Sequence, residues 1–267
     1  MRKHILMDLP TFVHTKCRDT SKVYLRSKNI FRQFVPDELV KWEKPFPDYN
    51  PPDYTSENLR GKPWADSENL DEMRWNELDG KINRVSHITK YRIENKRPQN
   101  PFGRTGLQGR GTLGRWGPNH AADPIVSRFY NGKLQFIAIE RGDTGEMAIP
   151  GGMVDPGEDV NETLKREFTE EALDGIDDKT LEELWKTGAE LYRGYVDDHR
   201  NTDNAWMETV VVNFHDDKGI LNEVKFKAGS DAKNVRWLTI SPSECLKLYA
   251  SHEHFIRLFA ERHNIHL

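Results

Sequence analysis

The chain has 267 residues, of which 36% are hydrophobic and 31% charged, and its twelve Phe and seven Trp argue against disorder throughout. The 39 Lys and Arg against 43 Asp and Glu give a formal charge of -4, which offers no global excess of positive charge for non-specific nucleic-acid binding. No apolar run approaches the roughly 20 residues that span a bilayer, and the N-terminus is too short and polar for the core of a signal peptide.

The two cysteines, Cys17 and Cys245, lie far apart and show no metal-ligand spacing. This pattern predicts neither a disulfide framework nor a zinc site. We therefore expect a soluble chain of a reducing compartment, with one elaborated domain or two small ones.

Residues 1 to about 100 combine prolines with aromatic residues. Proline fixes φ and removes a backbone donor, so this run is excluded from a central strand, yet its aromatic side chains must pack against something. A surface-hugging arm and a ligand-facing cap are equally compatible with the pattern. The residues concerned are Pro45, Pro47, Pro51 and Pro52 with Trp42, Phe46, Tyr49 and Tyr54.

Residues 103–117 read GRTGLQGRGTLGRWG and predict a loop. Glycine permits close backbone approach to a ligand, and arginine is a natural fork for phosphate oxygens. However, the run lacks the ending of a P-loop and matches no dinucleotide fingerprint. An ordered linker between domains is favoured over a phosphate grip.

After Pro124 the pattern changes to short strands that alternate with helices, which is typical of a mixed α/β sandwich. The predicted strands are 134–140, 146–150, 192–196, 208–215 and 234–240. The predicted helices are 160–173, 179–187 and a long C-terminal one from Ser243 to Arg262.

The helix after Gly151 and Gly152 carries carboxylates on its apolar side. At 100° per residue, Leu164 and Phe168 share a face, and Glu167 and Glu171 fall beside them with Glu170 flanking. Burying several carboxylates without a partner is costly, so a cation is expected there. Converging hard oxygen ligands suit Mg²⁺ or Mn²⁺, and this interpretation is favoured over an ordinary solvated acidic stripe.

The segment from Gly152 to Glu171 resembles the Nudix box. Gly152, Glu158 and the run Arg166-Glu167-Phe168-Thr169-Glu170-Glu171 stand at the spacing of that motif. The sequence departs from it at the end, where Leu173 replaces a glycine and Asp174 an apolar residue. ILMDLPTF, NPFGRTGLQGRG, GRWGPNHAADP, GYVDD, RNTDNAWMET and LKLYASH extend the resemblance to the ADP-ribose pyrophosphatase branch, which includes the C-terminal Nudix domain of the ADP-ribose-gated melastatin-type channel.

This resemblance implies an α+β fold, a Nudix α/β/α sandwich with an N-terminal cap. The implied domains are a cap and substrate-cleft domain at 1–118 and a Nudix catalytic domain at 119–267. The implied activity is Mg²⁺-dependent hydrolysis of ADP-ribose to AMP and ribose 5-phosphate, with Mn²⁺ as an alternative ion. The FPDYNPPDYT run resembles the channel form more than it resembles the enzyme. An ADP-ribose-sensing channel domain, with or without retained hydrolysis, is therefore the alternative.

The resemblance also implies roles for individual residues. Glu167, Glu170 and Glu171 would bind the metal and take part in catalysis, and Arg166 would hold Glu158 or Glu167 in place. Glu208 is a candidate base or supporting ligand. The implied substrate-binding residues are Asp198 and Arg200 for ribose and phosphates, Tyr249 and Ser251 for the terminal ribose, and Asn119 and His120 for the base or phosphate end.

The Nudix box identifies the bond that is cleaved and leaves the group attached to the nucleoside diphosphate open. A nucleotide sugar or capped RNA is therefore a further substrate class, although the net charge argues against long RNA. The expected partner is ADP-ribose, with no nucleic acid and with channel domains only if the chain belongs to a longer protein. The expected location is the cytoplasm or the cytoplasmic face of a channel, or the mitochondrion if a transit peptide has been removed.

Overall fold

The computed structural model describes residues 14–142, 145–172, 178–222, 232–245, 248–249 and 251–267. The chain divides into two compact units. The first contains residues up to 120, 155–157 and 194–208, and the second contains 121–154, 158–193 and 209–267.

Apart from the ends of strands that continue into the second unit, the described part of the first unit contains only very short regular elements. The strands form three two-stranded sheets, in which β1 pairs with β6 in parallel and the β2–β3 and β4–β5 pairs are antiparallel. The strands are β1 Asp53–Thr55, β2 Leu78–Asp79, β3 Ile82–Asn83, β4 Ile93–Glu94, β5 Arg97–Pro98 and β6 Gln108–Gly111. Single 3-10 turns span Lys16–Arg18, Asp37–Leu39, Glu57–Leu59 and Leu70–Glu72.

Aromatic side chains form the core of this unit. Tyr91, Phe102, Tyr195 and Trp206 are buried together, and the rings of Phe102 and Tyr195 stack with centroids 4.1 Å apart. Offset stacking adds to the free energy of burying large apolar surfaces. The strands of this unit are too short to present a continuous apolar face. A few large aromatic rings therefore form its core.

The proline-rich segment packs within its own unit around one arginine. The guanidinium of Arg104 lies 5.0 Å from the ring of Trp42, 5.8 Å from that of Phe46 and 5.2 Å from that of Tyr49. Trp42 also donates from Nε1 to the carbonyl of Asn100 over 2.8 Å. The aromatic residues of this segment thus have a structural partner inside the first unit.

The glycine-rich segment 103–117 belongs entirely to the first unit, so the expectation of a linker between domains is wrong. Part of it forms β6 against β1. Gly106 has a φ of 81°, and a Cβ there would lie 2.1 Å from the carbonyl oxygen of Gln33, so the backbone approaches too closely for a side chain. Close packing of this segment on its own unit explains its glycines without a bound phosphate.

The second unit is built on one large sheet whose strands have the order β11-β12-β7-β8-β13, with β9 beside β8 and β10 beside β7. The β8–β13 pairing is antiparallel, with Ile137 opposite Trp237. Residues 117–120 of β7 and 205–208 of β12 are grouped with the first unit. The strands are β7 Gly117–Tyr130, β8 Lys133–Arg141, β9 Met147–Ala148, β10 Gly152–Met153, β11 Ala189–Val196, β12 Ala205–Asp216 and β13 Ala232–Thr239.

The helices described in the second unit are α1 Val160–Ala172, α2 Asp178–Trp185, α3 Pro242–Cys245 and α4 His252–Arg262. Leu164 and Phe168 of α1 are fully buried, and they pack in one cluster with Leu184 of α2 and Ile137 of the sheet. The predicted apolar face of α1 is therefore confirmed. The α+β class is confirmed as well, and none of the described helices is long and apolar enough to cross a membrane.

The prediction of one long C-terminal helix from Ser243 to Arg262 is wrong. The chain at Leu248 forms a parallel bridge with Met147, and the backbone N–H of Tyr249 donates to the carbonyl of Met147 over 2.8 Å. Pairing with β9 keeps these residues out of a helix, so α4 begins only after Ser251. The side chain of Cys245 lies outside the described residues.

Phe168→Ala is expected to destabilise the second unit by about 3–5 kcal/mol, because it removes a fully buried aromatic ring from the core. Lys165→Ala, on the exposed side of α1, should change the free energy of unfolding by no more than about 0.5 kcal/mol. Urea unfolding followed by circular dichroism measures both. Equal midpoints would show that Phe168 does not anchor α1.

Candidate active site

The turn before α1 is fixed by a reciprocal cap. Oδ1 of Asp159 accepts from the backbone N–H of Glu162 over 2.9 Å, and Oε2 of Glu162 accepts from the backbone N–H of Asp159 over 2.8 Å. This capping box satisfies two donors that a helix start would otherwise leave without partners. It therefore sets where α1 begins and which of its side chains face the preceding loop.

Arg166 connects three carboxylates of the Nudix-like segment. Its Nε and Nη2 donate to the two carboxylate oxygens of Glu158 over 2.8 and 3.0 Å. Its Nη1 donates to Glu167 over 2.8 Å and to Glu170 over 3.3 Å. Its Nη2 also donates to the carbonyl of Met153, which joins α1 to β10. Hydrogen bonding to Glu158 is the largest cause that raises the pKa of Arg166, which stays charged.

The carboxylate of Glu167 is buried against β10. The residue is 8% exposed, and burial raises its pKa although Arg166 opposes this shift. A Cβ built at Gly152 would lie 2.2 Å from Oε1 of Glu167. The glycine therefore makes the space that this carboxylate occupies.

Glu170 differs from Glu167 in its access to solvent, since 61% of its side chain is exposed. Glu171 belongs to α1, but its side chain lies outside the described residues, as do Leu173 and Asp174. The carboxylates of Glu158, Glu167 and Glu170 share the guanidinium of Arg166. The group therefore carries more negative than positive charge.

The segment fits a divalent cation. Carboxylate oxygens are the ligands that hard ions such as Mg²⁺ prefer, and a buried carboxylate with a raised pKa gains from a nearby cation. Glu167 and Glu170 are the described side chains that would hold such an ion.

Asp198 and Arg200 form a bidentate ion pair in the first unit. Nε and Nη2 of Arg200 donate to the two oxygens of Asp198 over 2.8 Å each. Burial opposes the charged form of Asp198, but the charge of Arg200 outweighs it and lowers the pKa to about 2. The hydroxyl of Tyr24 donates to the backbone carbonyl of Arg200, which also fixes the loop. Ligand binding by this pair stays a prediction.

Asn119 is engaged by its own loop. Its Oδ1 accepts from the backbone N–H of Arg115, and its Nδ2 donates to the carbonyls of Arg115 and Gly117 over 2.8 and 3.1 Å. The residue is only 1% exposed. This pattern is typical of a side chain that shapes a loop, and the predicted contact of Asn119 with substrate is not tested by it.

Tyr249 and Ser251 lie in the second unit just before α4. The ring of Tyr249 is 4.3 Å from the guanidinium carbon of Arg141, a cation–π contact. Ser251 is the residue before the first turn of α4, and its side chain makes no capping hydrogen bond. Their predicted contact with a terminal ribose stays a prediction.

His120 lies beside Glu208 in the first unit, together with a residue that sequence analysis did not single out. The ring centroids of His120 and His87 are 4.5 Å apart, and Nε2 of His120 is 3.7 Å from Oε2 of Glu208. Burial disfavours ionisation of Glu208, but His120 and Ser86 outweigh it and hold the pKa of this carboxyl below its usual range. No spacing signal could have found His87, because it lies 33 positions before His120 in an irregular segment.

Two arginines of the glycine-rich segment serve the backbone. Nη1 of Arg104 donates to the carbonyls of Leu39 and Lys41, and Nη1 of Arg110 donates to those of Asp66 and Gly114. The role of these two residues in gripping a phosphate is thereby disfavoured.

Two known protein families match consecutive parts of the chain. The family described as "NUDT9-like, N-terminal domain" matches residues 35–117, and the family described as "NUDIX domain" matches residues 119–259. The fold of the second unit and the carboxylates around Arg166 agree with this match. The chain belongs to the Nudix hydrolase family and is an enzyme of that class.

Three relatives extend the comparison. The Caenorhabditis elegans protein named "Putative nudix hydrolase 6" is 59% identical, with 95% of this chain and 99% of that protein covered. The mitochondrial ADP-ribose pyrophosphatase of Rattus norvegicus is 49% identical, with 95% and 79% covered. A cation channel protein of Nematostella vectensis, "subfamily M member-like 2", is 45% identical, with 91% of this chain and only 17% of the channel covered.

Gly152→Ala is expected to weaken binding of Mn²⁺ by about tenfold or more, because the added methyl group displaces the carboxylate of Glu167. Calorimetric titration measures the change. Lys165→Ala, on the exposed side of the same helix as Glu167, is the control. If Gly152→Ala bound the ion as wild type does, Glu167 would not be a ligand.

Proposed function

We propose that this Nudix hydrolase cleaves ADP-ribose with Mg²⁺ and water to give AMP and ribose 5-phosphate. The observation that carries the proposal is that Arg166 of α1 holds the carboxylates of Glu158, Glu167 and Glu170. The 49% identity to a protein named ADP-ribose pyrophosphatase, over 95% of this chain, supports this substrate.

The reaction breaks one bond of a pyrophosphate that carries negative charge on both phosphorus atoms. A bound divalent ion would neutralise this charge and lower the pKa of a bound water. Glu167 and Glu170 would hold the ion, together with Glu171 as the resemblance implies. Arg166 would keep Glu167 oriented. Glu158 accepts from two nitrogens of Arg166 and so keeps the guanidinium in place.

The remaining residues implied by the resemblance would select the substrate. We propose that Asp198 and Arg200 contact the ribose and phosphates, since their ion pair presents a fixed guanidinium in a loop that is otherwise well bonded. Tyr249 and Ser251 would contact the terminal ribose, and Asn119 and His120 would line the base or phosphate end. In this proposal residues 1–118 are the cap and 119–267 the catalytic domain.

A second candidate function is ADP-ribose sensing within a cation channel, with or without retained hydrolysis. The identity of 45% over 271 residues to a channel protein favours it. In that case the bound ligand would shift a gating equilibrium through its different affinity for two states.

Glu170→Gln is expected to lower kcat for ADP-ribose hydrolysis about 100-fold or more, because it removes one charged oxygen ligand at the centre of charge development. Separation of the nucleotide products by ion-exchange chromatography measures AMP. Since this side chain is largely exposed, the unfolding midpoint should stay within about 0.5 kcal/mol of wild type. Loss of folded protein would make the carboxylate structural, and undiminished AMP release would reject its catalytic role.

Asp198→Asn is expected to raise KM for ADP-ribose about tenfold with a smaller effect on kcat, because Arg200 loses the charged partner that orients it. Glu190→Gln removes the exposed ion pair with Arg193 and serves as the control. Initial rates over a range of ADP-ribose concentrations separate the two constants. A KM equal to that of the control would remove this ion pair from substrate binding.

A further inference from the structure

We propose that His87, His120 and Glu208 form a second cation site, selective for a borderline transition-metal ion such as Zn²⁺, within the first unit. One ligand atom from each residue can be chosen so that all three lie within 4.8 Å of one another. The site shares no residue with the carboxylates of α1, although His120 is also one of the proposed substrate-binding residues. Metal binding measured directly, without ADP-ribose, therefore tests this site separately from hydrolysis.

The donor set distinguishes this site from the one at α1. Two imidazoles and one carboxylate suit Zn²⁺ and related ions, whereas Mg²⁺ prefers oxygen ligands alone. Three protein ligands leave one position for water in a tetrahedral arrangement. The expectation that the chain has no zinc site rested on cysteine spacing, which does not bear on histidine and glutamate ligands.

The distances fit an ion better than they fit a direct hydrogen bond. Nε2 of His120 and Oε2 of Glu208 are 3.7 Å apart, which is too long for a hydrogen bond. Ligand atoms of a tetrahedral zinc ion with bonds near 2.05 Å are about 3.3 Å apart. A side-chain shift of a few tenths of an ångström would bring this pair to that separation.

The ring nitrogen Nε2 of His120 is buried without a hydrogen bond among the described residues. The side chain as a whole is only 7% exposed. Leaving a buried ring nitrogen without a partner costs free energy. An ion between this nitrogen and Glu208 would satisfy it.

The carboxylate of Glu208 is held as metal-bound carboxylates usually are. Its Oε1 accepts from Oγ of Ser86 over 2.6 Å and from Nε1 of Trp206 over 2.7 Å, and its Oε2 accepts from the backbone N–H of His87 over 2.6 Å. Such contacts orient a ligand before the ion arrives. Oε2 is the oxygen measured against Nε2 of His120, and it has a second lone pair with which it can bind an ion.

His87 completes the site from a different part of the chain. Its ring lies against that of His120 at an interplanar angle of 33°. A metal ion binds the neutral form of imidazole through a ring nitrogen. His87 is a partly exposed residue of an otherwise buried cluster.

The test is a titration of the full-length, chelator-treated protein with Co²⁺, which reports low-coordinate histidine ligation through intense visible absorption. The proposal expects one such site per chain, displaced by Zn²⁺ and retained when Glu167 and Glu170 are both replaced by Gln. Saturating Mg²⁺ should not displace the Co²⁺. Failure of wild-type protein to develop the band, or its loss in the double Gln variant, would overturn the proposal.

Ligand variants sharpen this test. His120→Ala and the partly exposed His87→Ala should each weaken Co²⁺ binding by more than the about 10–100-fold typical of a supporting residue, and Ser86→Ala should fall within that range. His266→Ala removes an exposed imidazole and should bind as wild type does. Circular dichroism identifies the variants that fold. Unchanged affinity in a folded His87→Ala or His120→Ala variant would contradict the site even if hydrolysis is intact.

Discussion

The ion pairs of Arg166 are the interaction on which the catalytic part of the molecule depends. A carboxylate as buried as Glu167 would be costly without a compensating charge. Arg166 supplies that charge, and two of its nitrogens are fixed in turn by Glu158. Because the same guanidinium also binds the carbonyl of Met153, the position of α1 relative to β10 follows from one side chain.

The first unit solves a different physical problem, which is to satisfy backbone carbonyls in a fold with little regular structure. Arginines take the place of strand partners there. Arg84 pairs with Asp66, which also accepts from Arg115 and from the backbone N–H of Trp116. Arg104 donates to the carbonyls of Leu39, Lys41 and Lys44, at the start of the proline-rich segment. Several cations that look available for a ligand in the sequence are therefore used to hold the chain.

Local patterns were sufficient for α1 and insufficient for the C-terminal region. The period of Leu164 and Phe168 and the glycines before them located the helix within a residue at each end. The segment before α4 has helical composition as well, yet its pairing with Met147 of β9 prevents the helix. A contact across about 100 residues overrode the local preference there.

The whole of strand β7 lies outside the strands that the sequence predicts. Pro124 lacks a backbone donor and marks the predicted boundary after which strands begin, but it lies inside a strand of fourteen residues. A partner on one side of β7 is β10, whose described pairing covers only Ala121 and Ala122. Because proline in a sheet is usually confined to edge strands, strand starts and bulges, Pro124 argued against a strand at this position.

The sequence by itself determined the Nudix segment, because the spacing of Gly152, Glu158 and Arg166 to Glu170 acts within one turn and one helix, where geometry is local. Only the tertiary structure decided which arginines donate to backbone carbonyls and which donate to carboxylates. It alone brought His87 to His120 and Glu208, since those residues lie on separate segments that meet through packing. Contacts between distant segments leave no periodic trace in a sequence, and that is why this cluster had to be found in the fold.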